Sequence, residues 1–72
     1  MEYVPVSQWQ QWLAARSAVF HPDRGSAEGK WQVFYSHPQR RWIKATPVAA
    51  KAGGPTTHMS VEWFMQCPCR FS

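Results

Sequence analysis

Carboxylates are scarce in this 72-residue chain. Four Asp and Glu stand against eight Lys and Arg, giving a formal net charge of +4 and a pI near 9.6. The acids are Glu2, Asp23, Glu28 and Glu62, with no obvious pairing for acid–base work. Cysteine is nearly absent. Cys67 and Cys69 flank Pro68, and a bridge between them would close a very tight ring, so reduced thiols and a cytoplasmic setting are expected. His21, His37 and His58 supply the remaining zinc-type ligands. A Cys-x-Cys pair, however, lacks the usual gap of a zinc site and has no second close pair to complete it. The expectation is therefore no metal and no other cofactor. No stretch approaches the ~18 apolar residues of a membrane span, and Glu2 and Pro5 interrupt the N-terminus where a secretory signal would need an apolar run. The pair Gly53-Gly54 before Pro55 lacks the spacing and the Gly-Lys-Ser/Thr ending of a phosphate loop, and no nucleophile elbow occurs. These absences argue against an enzyme.

Tryptophan is what the chain has in excess, with five. One domain over residues 1–72 is all the length allows, and a chain this short buries only about 60% of its unfolded surface. A buried Trp or Phe removes ~150–250 Å² from water, or about 4–6 kcal/mol gross. A few such rings can take the place of the disulfides or metal that small scaffolds often need. The rest of the aromatic surface is then available to a partner.

Periodicity supplies the elements. Ser7 and Gln10 have capping-box spacing, and Trp9, Trp12, Leu13, Arg16 and Phe20 follow as a helical stripe, predicting a helix over 7–20 that Pro22 stops. A polar, glycine-containing loop leads to a strand over 30–36, a turn at 37–40 and a returning strand over 41–46. Residues 47–57 show no useful period and read as a loop. From 58 to 66 the side chains alternate, which predicts a third strand, although Met59 and Trp63 are also spaced as on a helix. The fold class expected is α+β in two layers, one N-terminal helix on a three-stranded antiparallel sheet in the order α-β-β-β.

Strand alternation then assigns faces. Trp31, Val33, Tyr35, Ile43, Ala45, Val61, Trp63 and Met65 are expected to meet the helix. Phe34, Trp42 and Phe64 are expected on the opposite face, ringed by Gln32, Arg40, Lys44 and Gln66. An exposed aromatic patch with a polar and basic rim is a candidate docking surface. The competing expectation is a second small core, with the 47–57 loop or the Cys-Pro-Cys-Arg-Phe tail folded over the same rings.

Phe20-His21-Pro22-Asp23-Arg24, after an amphipathic helix, resembles the His-Pro-Asp loop of J-domain co-chaperones. The resemblance implies contact with an Hsp70 partner through His21, Pro22 and Asp23.

The functional expectation is a small non-enzymatic binding protein, of the kind encoded by a phage or plasmid. It would act stoichiometrically on a host protein or nucleoprotein complex, an inhibitor of the anti-CRISPR type being the concrete version. Phe34, Trp42, Phe64, Lys44, Arg40, Arg41 and Gln32 are the candidate partner-binding residues, with no membrane partner and with homodimerisation left open. The alternative is a basic DNA- or RNA-binding accessory protein, excisionase-like in size and charge, with Arg40, Arg41 and Lys44 on phosphates.

Overall fold

Five antiparallel strands, not three, make the sheet in the computed structural model, which describes residues 1–66. In chain order they are β1 (Glu2–Pro5), β2 (Ala18–Phe20), β3 (Gln32–Ser36), β4 (Arg41–Ala49) and β5 (Thr56–Gln66). The spatial order is β1-β5-β4-β3-β2. From β1, at one edge, the chain crosses one face of the sheet through a 3₁₀ turn (Val6–Gln8) and the helix α1 (Trp9–Ala15), and arrives at β2 on the other edge. Three successive antiparallel connections then carry it back until β5 lies beside β1. The fold is α+β with one N-terminal helix, as its sequence pattern predicts, and the two extra strands are the two edges.

The expected helix over 7–20 is shortened at both ends. Gln8, not Ser7, precedes the first α-helical residue, and no side chain caps the start. At the other end the N–H of Arg16 donates to the Leu13 carbonyl, and that of Ser17 to Ala14. Ser17 adopts a positive φ of 46°, which ends the helix. Phe20 therefore reaches the core from a strand: β2 pairs with β3 in the register Ala18↔Ser36, Val19↔Tyr35, Phe20↔Phe34. The His-Pro-Asp tripeptide consequently follows a strand. Pro22 opens a 3₁₀ turn (Pro22–Arg24) between β2 and β3, a setting unlike the helical one that the J-domain resemblance implies.

Much of the expected loop over 47–57 is strand. β4 runs to Ala49 and β5 starts at Thr56, so the two pair as a long hairpin. Pro47 is tolerated because β3 pairs with β4 only as far as Ala45, so no neighbour on that side requires its missing N–H. The hairpin closes where the N–H of Gly54 donates to the Lys51 carbonyl (2.9 Å) and Gly53 takes a φ of +75°. That backbone conformation suits glycine at the third position of the turn.

The sheet is packed on both faces. On the helix side, Val4, Leu13, Phe34, Ile43, Ala45 and Val61 form the main core, with Trp9, Trp12, Ala18, Met59 and Trp63 against it. On the open side Val33, Tyr35 and Trp42 form a second, smaller core with Trp31 beside them. The faces of β3 are thus opposite to expectation. Phe34 points to the helix, held between the rings of Trp9 and Phe20, each 5.2 Å away. Ser36, on the same face, donates its hydroxyl to the Arg16 carbonyl at 2.8 Å. Val33 and Tyr35 point away, with Trp31 on their side.

A candidate docking cleft on the open face

The second core exists because His21–Arg24 folds over the open face. The His21 ring packs edge-on against Trp42 at 5.1 Å, and Tyr35 does the same at 5.3 Å. Trp42 is left 1% exposed. It forms the floor of a cleft of about 200 Å³ lined by Arg24, Trp31, Val33, Trp42, Lys44, Phe64 and Met65. Covering the open face does not remove the site; it lowers the tryptophan and raises walls around it.

Two cations hang over the walls. The Arg24 guanidinium carbon lies 5.4 Å from the Trp42 ring centre, and Lys44 Nζ lies 5.4 Å from that of Trp31. Both are at cation–π distance. No carboxylate is among the lining residues. Arg24 is 4.0 Å from Asp23, an exposed pair of little energetic weight.

The third wall depends on a β-bulge. Along β4 and β5, Trp42 pairs with Met65 but Ile43 pairs with Trp63, so Phe64 is the extra residue. Strict alternation would have sent Met65 to the helix side. The bulge instead presents Phe64 and Met65 together at the cleft, with the Phe64 ring 6.3 Å from Trp42. They are 45% and 40% exposed, two of the large apolar side chains left open.

Of the residues singled out from sequence, the structure brings Trp42, Phe64 and Lys44 together. Phe34 is separated from them, buried on the helix face. Gln32 is its alternation neighbour on that face and is exposed. Arg40 sits in the turn between β3 and β4, and Arg41 lies over Trp63 on the helix side, 4.9 Å from the ring. Sequence reasoning missed Arg24, Trp31, Val33 and Met65. A signal for Arg24 was present, since Pro22 opens a short turn that can fold back, but nothing local to Met65 announces a bulge.

No family model, curated protein or solved structure matches the chain significantly. Among the described residues, no three His, Cys, Asp or Glu side chains gather as a metal site would require, and no helix is long and apolar enough to cross a membrane. Cys67 and Cys69 lie outside the described residues.

Proposed function

We propose that the protein is a small binding protein that docks stoichiometrically on a host protein or nucleoprotein complex through the open-face cleft. It would act by occupying that surface rather than by catalysis. The observation that carries the reading is the cleft's lining: an apolar, aromatic pocket with Lys44 and Arg24 at its walls and no acid. Such a pocket accepts one bulky apolar anchor and rewards acidic groups flanking it. Its volume suits a single side chain. A mobile-element inhibitor is the concrete form, resting on the chain's size and charge as well as on the cleft.

Capture from a host lysate, with and without nuclease, tests this by comparing wild type with Lys44→Glu and Phe64→Ser. Both positions are at the rim, so the folded state survives, as circular dichroism would verify. The proposal requires proteins retained by wild type to be lost by both variants. Equal capture by all three would refute it.

A further inference from the structure

A second surface, on the opposite side of the sheet, has a different chemistry. At the C-terminal end of α1 the Arg16 guanidinium carbon lies 3.7 Å from the ring centre of Trp12. Its Nη1 donates to the Trp12 carbonyl at 2.9 Å. Trp12 in turn meets Trp63, with centroids 6.5 Å apart and planes tilted by 43°. Arg41 caps the far side, 4.9 Å over Trp63. Two guanidinium groups thus bracket a pair of indoles.

The backbone holds this arrangement at one end of the sheet. Ser36 is the register partner of Arg41 and also the donor to the Arg16 carbonyl, so one buried serine ties the two arginines' backbones together. Arg40 precedes Arg41 in the turn, where its N–H donates to the His37 carbonyl and its φ is 54°. A non-glycine residue held in that region is uncommon and costs free energy.

Among the described residues, no acid comes within ion-pair distance of the cations at this end. Among the described residues the ion pairs are Arg24–Asp23 and Lys30–Glu28, and neither involves Arg16, Arg40 or Arg41. Arg41 Nε is sealed from solvent, and among the described residues no hydrogen-bond acceptor reaches it. The cavity beside Trp63 contains Glu2 and Glu62 as well as Arg41. A polyanion is therefore repelled from the Glu2 and Glu62 side of Arg41 and steered toward its Arg16 and Arg40 side.

We infer that the Arg16, Arg40 and Arg41 end of the sheet binds the phosphate backbone of single-stranded nucleic acid, with the guanidinium plane that Arg16 lays on Trp12 offering flat surface to its bases. Stacked guanidinium groups are pre-oriented, with planar donor edges that match phosphate. Cations interleaved with partly exposed indoles are the usual elements of a single-strand platform. An acidic protein would use the arginines' charge but would gain less from their flat, ring-backed planes.

The test is fluorescence anisotropy with a labelled 15-mer of thymidine across 50–300 mM salt. Three phosphate contacts give a log–log salt slope of about −2 for a single strand. Arg16→Gln or Arg41→Gln should flatten that slope by about 0.7 and weaken binding about fivefold at 0.1 M salt. Arg40→Gly should do the same, and it removes the positive-φ cost rather than adding one. Lys44→Gln, on the other face, should leave the isotherm unchanged, which separates this inference from the cleft reading. The inference is overturned if the 15-mer fails to bind at 100 µM protein and 50 mM salt. It is equally overturned if poly-glutamate displaces the 15-mer as well as unlabelled thymidine 15-mer does, if a duplex of the same length binds more tightly, or if the folded arginine variants bind like wild type.

Discussion

Replacing Trp42 with alanine distinguishes a ring that serves mainly as core from one that serves mainly as contact surface. The side chain is 1% exposed, lies beneath His21 and beside Tyr35, and forms the floor of the open-face cleft. Truncating a buried Trp costs about 3–5 kcal/mol, combining lost transfer energy with the cavity left behind. A domain of 72 residues has a total stability of about 4–11 kcal/mol at the usual value per residue. Trp42→Ala therefore removes a large share of the fold's stability, and at the lower bound all of it. Urea unfolding followed by far-ultraviolet circular dichroism measures this without depending on tryptophan emission. With a denaturant slope of about 1 kcal/mol per M, the midpoint falls by roughly 3–5 M or the variant is unfolded at the outset. Phe64→Ala is the paired control. Its ring is 45% exposed, and its loss should cost about 1 kcal/mol or less. A Trp42→Ala variant within about 1 kcal/mol of wild type would refute the second core and return Trp42 to the role of a removable surface anchor.

Two further outcomes test the frame around the sites. Ser36→Ala deletes the hydroxyl that donates to the Arg16 carbonyl, within a residue that is fully buried. It should destabilise by about 1–2 kcal/mol in the same unfolding assay and, by loosening Arg16 and Arg41, weaken binding of the thymidine 15-mer. Gly53→Ala forces a side chain into the left-handed region at φ +75° and should cost about 1 kcal/mol, read as a lower thermal midpoint, with cleft and arginine end unaffected.

The sequence made some of this legible because certain signals are local. Trp9, Trp12 and Leu13 do form the helix stripe, and the face assignments of Trp42, Ile43, Lys44 and Ala45 on β4 agree with alternation. What failed depended on partners distant in sequence. Val19 and Phe20 continue a helical spacing well enough to pass as a last turn, and only pairing with Tyr35 and Phe34 makes them a strand. Tyr3 and Val4 are good strand formers, but a four-residue edge strand announces itself only by its partner β5. Pro47 looks like a strand terminator until it is known that β3 has already ended. From Trp31, just before β3, to Tyr35 every residue except Gln32 is apolar, so alternation could not choose a face. The choice follows from Trp9 and Phe20 enclosing Phe34.

The same two-sided packing determines how function can be separated from stability here. In a larger protein a recognition ring rests on a core that would survive its removal. In this chain Trp42 is both core and cleft floor, and on the other face Trp12 and Trp63 both cover the main core and support Arg16 and Arg41. Aromatic deletions at either site therefore confound unfolding with loss of binding. The groups free of that double role are the cations and the rim: Lys44, Arg24 and Phe64 at the cleft, and Arg16, Arg40 and Arg41 at the far end. Charge reversal of the cations in these two sets should give separable defects, because the sheet lies between them and most of the charge-to-charge interaction across it is screened at physiological salt. If reversing Lys44 impaired oligonucleotide binding as much as reversing Arg41, the two surfaces would have to be one continuous electrostatic site wrapping the edge of the sheet.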